Sequence, residues 1–438
     1  MNTPVCDFLE EYQKKEIKRF HMPGHKGKDA DKYDITEVTG ADSLYDACGI
    51  IMESEKNASE IFGAKTFYST EGSSLSIRAM LYLAALYAKS VGKKPLIAAG
   101  RNAHKTFVSS AALIDFDIDW LFGDGKSYLS CNVTKEGIEK YLKKENPVAV
   151  YITSPDYLGN MVDISGISEV CHKKGVLLLV DNAHGAYLKF LGKHPIDLGA
   201  DMCCDSAHKT LPALTGGAYL HVNEKAPDMF WKMAKTALSL FGSTSPSYLI
   251  LASLDRVNKY LCDGYKEKLE KFILRVEELK QNIKNLGFEL VGDEPMKITI
   301  EPKSYGYSGV ELLEYLEENG IITEFADPDF TVLMPSVSSD ETDFSALYEV
   351  LSKLPKKMPI DKKMPEFKLP ERDMSVRDAV FSENEEIAVS DSVGRTLSSV
   401  TVGCPPAVPI IVSGEKINED IIKCFKYYGV DKCLVVKG

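Results

Sequence analysis

Two stretches carry residue types suited to acid–base and covalent chemistry: "DNAHGAYLKF" (Asp181–Phe190) and "CCDSAHKTLPALTGGAYLH" (Cys203–His221). Each follows or contains the end of a short apolar run. Lys209 stands just after Ser206 and His208. A lysine desolvated at a sheet edge, with its pKa lowered, is the type that forms Schiff bases with carbonyl compounds. A solvated lysine after a strand is the plainer alternative, so its companions must decide.

Those companions form the set that pyridoxal phosphate requires: a lysine for its aldehyde, an acid for its ring nitrogen and a cradle for its phosphate. Asp181 is the candidate acid. At about 3 Å and an effective dielectric near 20, its gross attraction for a protonated pyridine is on the order of 5 kcal/mol. That attraction would keep the ring cationic and hungry for electrons. The cradle candidate is Gly72, Ser73 and Ser74, placed directly before an amphipathic helix whose backbone N–H groups and dipole suit an anion. Serines in that position are also ordinary N-caps. "RNAHKTF" delivers His104 after another apolar run, where it would stack on the ring or simply bond within its loop. Five of the eight histidines fall in short motifs of this kind, His104, His184 and His208 in those above and His21 and His25 in "RFHMPGHKG" (Arg19–Gly27), which favours a functional cluster.

Positioning these groups requires an alternation of strands and helices. The runs "KPLIAAG", "PVAVYIT", "VLLLVD", "ADMCCDS" and "GGAYLHV" read as buried strands. Between them Ser73–Val91 and Thr134–Lys144 carry helical periodicity. The pattern predicts an α/β fold with a mostly parallel sheet flanked by helices, and in such sheets ligands sit outside the carboxyl ends of the strands. A helix-rich stretch (Ser245–Leu286) then leads to a small α+β layer. Lys353–Ser375, with four prolines and many charges, reads as a linker or extended wrap before a small C-terminal domain.

Composition narrows the function. A chain of 438 residues exceeds one ordinary core, and a net charge of -12 argues against nucleic-acid or anionic-membrane surfaces while suiting a cationic small substrate. The ten cysteines lack a disulfide framework, so a reduced, cytoplasmic protein is expected. No apolar stretch is long enough for a bilayer span, and neither a signal-peptide pattern nor a membrane partner is expected. Cys203, Cys204 and His208 are close in sequence but lack paired ligand spacing, so no metal is expected.

The motifs together resemble the pyridoxal-phosphate-dependent ornithine/lysine/arginine decarboxylase family, in its compact bacterial class. The resemblance rests on "RFHMPGHKG" (Arg19–Gly27), "DSLYDACGIIMESEKNASEIFGA" (Asp42–Ala64), "RNAHK", "DNAHGA", "SAHKTLPALT", "STSPSYLILASLD" (Ser243–Asp255) and "VGRTLSSVTVGCPPAVPIIVSGEKI" (Val393–Ile417). It implies the fold type I architecture of the aspartate aminotransferases, with a seven-stranded sheet, a small α+β domain and a C-terminal domain. The expected division is 1–60 at a dimer interface, 61–265 binding the cofactor, 266–355 forming the α+β domain, and 356–438 the linker and C-terminal domain. By the same resemblance Lys209 would carry the cofactor, Asp181 would pair with its ring nitrogen and His104 would cover its face. His184 and His208 would lie close by, with Ser206, Gly72, Ser73 and Ser74 near the phosphate. Ser243 and Thr244 would reach the phosphate of a neighbouring subunit, and His21–Lys26 would line a shared entrance, so a homodimer or higher homo-oligomer is implied. The implied reaction is decarboxylation of arginine, lysine or ornithine to agmatine, cadaverine or putrescine, with Lys209 or a nearby histidine reprotonating Cα.

Several positions depart from that family's pattern. Asn182 and Tyr187 replace a glutamate and a histidine, Asp156 a threonine, and Gly216 a glutamine; an asparagine is common near Glu71. "CPPAVP" stands where a tyrosine and a glycine are frequent. Glu71 and Asp156 are open as partners for a substrate's distal cation or as surface carboxylates. An aminotransferase, a carbon–sulfur lyase and a cofactor-binding paralogue without turnover are the competing functions on the same scaffold.

Overall fold

The structure, a computed structural model, describes residues 1–15, 17–28, 31–123, 127–400 and 406–438. Cys404 and Pro405, which open "CPPAVP", lie outside the described residues. Seven strands form the main sheet: β1 (Lys65–Ser69), β2 (Leu96–Gly100), β3 (Asp117–Leu121), β4 (Ala149–Thr153), β5 (Leu177–Asp181), β6 (Met202–Asp205) and β7 (Ala218–Val222), in the order β1-β7-β6-β5-β4-β2-β3. β4, β5 and β6 run parallel, as do β2 and β3, while β7 opposes both β6 and β1. Every residue of β5, β6 and β7 is buried, which is why these segments read as unbroken apolar runs. β1 and β3 were not legible as strands, because exposed and half-exposed positions interrupt them.

The chain packs as two compact units made of discontinuous segments. The first comprises Met1–Pro95, Ile138–Ser154 and Asp163–Leu269; the second comprises Leu96–Gly137, Pro155–Val162 and Glu270–Gly438.

In the first unit, acids of the quoted motifs hold backbone. Asp42 accepts from the N–H groups of Cys48, Gly49 and Ile51, anchoring the start of the helix Ile50–Phe62. Those bonds outweigh burial and hold its carboxyl below the usual range. Asp255 accepts from the N–H groups of Val5 and Cys6, each at 3.0 Å, and so tethers the helix Pro4–Lys14. The helix Gly72–Ser90 buries Leu75, Ala79 and Leu83, as its periodicity predicts.

The second unit contains two further sheets. One has β8 (Glu289–Val291), β9 (Ile298–Glu301), β10 (Phe325–Ala326) and β11 (Thr331–Leu333), in the order β10-β11-β9-β8. The other has β12 (Asn384–Ala388), β13 (Leu397–Ser399) and β14 (Lys432–Val436), in the order β12-β14-β13. The proline-rich stretch between them is an extended wrap: Lys357 N–H bonds to Tyr305 O and Ile360 N–H to Lys303 O. Among the described residues no helix is long and apolar enough to cross a membrane, and all nine described cysteines are free.

Candidate active site

The carboxyl ends of β5 and β6 carry the central residues of the first unit. β5 ends on Asp181, which is 3% exposed and pairs in register with Cys204 of β6. Its Oδ2 accepts from the Tyr151 hydroxyl at 3.1 Å, and its Oδ1 from Ala183 N–H at 3.2 Å and the Cys204 thiol at 3.5 Å. Burial pushes the Asp181 carboxyl up, and the Lys209 charge is the largest influence pulling it back down. Two of its three bonds come from weak or long donors. A cation brought to this carboxylate would therefore be strongly welcomed.

β6 leads through Ser206 into the short helix Ala207–Thr210, which presents Lys209. Lys209 Nζ lies 3.2 Å from His184 Nε2. Both the carboxyl end of β5 and that of β6 thus supply one partner of this pair. His208 turns elsewhere, its Nδ1 3.0 Å from the carbonyl of Gly217.

The cradle is assembled from both sides. Ser206 donates its hydroxyl to Ser73 Oγ at 2.8 Å, and Gly72 N–H bonds to Gly216 O at 2.8 Å. Gly216 has φ +97°, and a Cβ there would lie 2.8 Å from Thr70 O, so glycine is required where the family pattern has a glutamine. The N-cap residue Glu71 makes no side-chain cap on the helix Gly72–Ser90. Its Oε1 instead accepts from Ser243 N–H at 2.5 Å, which brings Ser243 beside the cradle. Ser243, Thr244 and Glu71 are exposed, and Ser74, the third residue of the helix, is half-buried.

His104 belongs to the second unit, directly after β2 and at the N-cap of the helix Lys105–Ile114. Its Nδ1 accepts from Thr106 N–H at 3.1 Å and lies 2.9 Å from Thr106 Oγ1. The ring therefore carries its proton on Nε2 when neutral. Near the N-terminus His21 Nε2 meets Tyr12 Oη at 2.8 Å, and His25 meets Asp34 at 3.2 Å.

Asp156 has a role other than the two weighed for it. It is 3% exposed, and its carboxylate accepts from Leu158 N–H, Asn160 N–H and the Asn160 side chain, each at 2.9 Å. It holds the turn 156–160 and is no surface carboxylate.

A second cluster stands behind the β6 end. Asp205 Oδ2 lies 3.1 Å from both His194 Nε2 and His221 Nε2, and its Oδ1 accepts from Asn182 Nδ2 at 2.6 Å. All three titratable side chains are fully buried. These atoms are near enough to hold an ion, the one such group among the described residues, although no metal was expected. The same distances make two hydrogen bonds to a single carboxylate oxygen. His221 Nδ1 meets Thr66 Oγ1 at 2.9 Å. Asn182 packs so tightly that a Cβ on Gly185 would come within 2.1 Å of its Oδ1.

Sequence reasoning missed Tyr151, Cys204, Asp205 and the carbonyl of Gly216. Cys204 was findable from the pairing of β5 with β6; the others depend on register and packing.

The mixed seven-stranded sheet with its flanking helices is the architecture of the fold type I enzymes. The sequence matches the Orn/Lys/Arg decarboxylase major domain over residues 3–297, and the chain belongs to that family. It is 30% identical to the arginine decarboxylase of Halalkalibacterium halodurans, over 95% of this chain and 91% of that one. It is 28% identical to the arginine decarboxylase of Bacillus subtilis, over 100% and 95%. In fold it is similar to the constitutive lysine decarboxylase of E. coli, with TM-score 0.80 and 19% identity, covering 100% of this chain and 82% of that one.

Proposed function

We propose that the chain is a pyridoxal-phosphate-dependent decarboxylase of a basic amino acid, with Lys209 as the residue that carries the cofactor. The observation supporting this most directly is the fully buried Asp181, whose carboxyl is raised by burial and eased by the Lys209 charge, beside a Lys209–His184 pair at 3.2 Å. The donor set fits the cofactor: an amine for the aldehyde, an acid for the ring nitrogen, and Ser73 and Ser206 hydroxyls joined beside Gly72 for the phosphate. When bound, the cofactor supplies an electron sink for the bond between Cα and the carboxylate.

The protein's own groups do the rest. Asp181 holds positive charge at the ring nitrogen, with Tyr151 and Cys204 fixing its orientation. His104 covers the ring face, Ser74 joins the phosphate site, Ser243 and Thr244 reach the phosphate of the neighbouring subunit, and His208 lies close to the cofactor. Lys209 Nζ and His184 Nε2 share and deliver the proton that Cα receives. His21–Lys26 line the entrance of a site completed across a homodimer. Arginine is the first substrate to test, since curated relatives of nearly full coverage are arginine decarboxylases.

Purified protein mixed with pyridoxal phosphate should show an absorbance band that borohydride bleaches, leaving the added mass on the Lys209 peptide. Carbon dioxide release should follow with one of arginine, lysine or ornithine. Lys209→Ala should lose the band and lower turnover by at least about 10⁴-fold. Full turnover in that variant would overturn the assignment, and a keto acid in place of carbon dioxide would point to an aminotransferase.

A further inference from the structure

The second unit ties the His104 turn to the C-terminal end of the chain through a buried ionic contact. Arg101, three residues before His104, is 2% exposed. Its Nη2 donates to Glu415 Oε2 at 2.9 Å and to Ile410 O at 3.2 Å, and its Nη1 donates to Pro409 O at 3.3 Å. The guanidinium lies over the Trp120 ring, 4.9 Å from the centroid, and 5.5 Å from that of Phe367. Glu415 Oε2 also accepts from Val412 N–H at 2.8 Å, so one carboxylate closes the loop that Arg101 grips. Just beyond His104, Lys105 N–H bonds to Ala407 O at 2.7 Å.

A planar guanidinium can address two carbonyls and a carboxylate at once, which a lysine ammonium cannot do with the same geometry. The turn Arg101–Lys105 is therefore held at both ends by residues 407–415. His104, between them, has its ring fixed by Thr106. The groups that hold this turn come from more than three hundred positions along the chain.

We propose that Glu415, acting through Arg101, and the Ala407 carbonyl position His104 for its place over the cofactor ring. The inference rests on the reading that His104 covers that ring. Glu415 and Arg101 are positioning residues and touch neither cofactor nor substrate.

Glu415→Gln in the full-length protein is the test. Amide exchange at Lys105 should quicken about 10-fold, with and without pyridoxal phosphate, and kcat should fall about 5- to 10-fold with little change in KM. In a His104→Ala background the same substitution should still quicken Lys105 exchange but cost no further kcat, because its only route to the chemistry has been removed. Arg101→Lys should behave alike, and serves if Glu415→Gln folds poorly. Unchanged Lys105 exchange would overturn the tether, and kcat losses that multiply in the double variant would overturn the route through His104. If His104→Ala alone leaves kcat intact, the ring-covering reading fails while the exchange measurement still decides the tether.

Discussion

Asp181 and Asp205 end neighbouring strands and are equally buried, yet their carboxyls move in opposite directions. Burial raises Asp181, whose donors are a tyrosine, a thiol and one N–H. Asp205 is desolvated too and still ends well below the usual carboxylate range, because His194, His221 and Asn182 surround it. The difference teaches that burial alone does not define a working acid. Asp205 is a satisfied charge that joins β5, β6 and β7 from behind. Asp181 has weaker donors and the Lys209 charge as its main electrostatic counterweight, and on the proposed function it is the acid that would face the cofactor ring.

Neutralising each carboxylate should separate the two roles. Asp181→Asn should lower kcat by about 10²–10³-fold, the scale of losing one group aimed at developing charge. The melting temperature of the apoprotein should hold or rise, since a poorly paired buried charge has been removed. Asp205→Asn should do the reverse, costing about 1.5–3 kcal/mol of stability as charged hydrogen bonds are lost. Urea unfolding of both apoproteins measures the contrast, and an equal loss of stability in the two would erase it.

The cluster also has a pH signature. Burial, the largest influence, holds His221 below its ordinary value of 6.5, so the folded protein refuses a proton that the unfolded chain takes up. Its contribution is complete above pH 6.5 and declines as pH falls below it. Asp205, lowered from 3.8, adds a second decline below that value. In His221→Gln the first decline should vanish from the urea midpoint while the second remains.

How much of this was legible follows from how each residue is placed. The sequence placed Lys209 and Asp181 near each other because Asp181 ends one apolar run and Lys209 shortly follows another, and strand ends of an α/β sheet gather at one edge. Asp205 stood inside the same quoted motif without a role, because one partner, His194, lies outside every motif and the other, His221, closes that motif 16 residues on, where only the turn into antiparallel β7 brings it back to Asp205. Tyr151 lies two residues before the end of β4, and only the register of β4 on β5 lets its hydroxyl reach Asp181. Asp156 read as a possible ligand for a cation because a sequence cannot show that three donors of its own turn already occupy it. The strands β1 and β3 escaped notice for the opposite reason, since half-exposed edges lack the unbroken apolar run that marks the centre.

The second unit supplies the sharpest extension of the same comparison. Asp327 is a buried carboxyl whose Oδ1 accepts from Asp329 N–H at 2.7 Å and Phe330 N–H at 2.8 Å, while Oδ2 has no hydrogen-bond partner among the described residues. Burial, with the nearby Asp329 charge adding to it, pushes its value up from 3.8 to about 7. Lys303, Tyr427 and Tyr428 all attend to Asp329 instead. Because the folded value lies above the unfolded one, the contribution of Asp327 is complete below pH 3.8 and is lost as pH rises through about 7. Asp327→Asn keeps the shape and cannot ionise, so it should match the parent near pH 4 and gain up to about 4 kcal/mol at pH 8. Urea midpoints at the two pH values check this, and a difference that does not change with pH would mean that Asp327, like Asp205, has found partners for its charge.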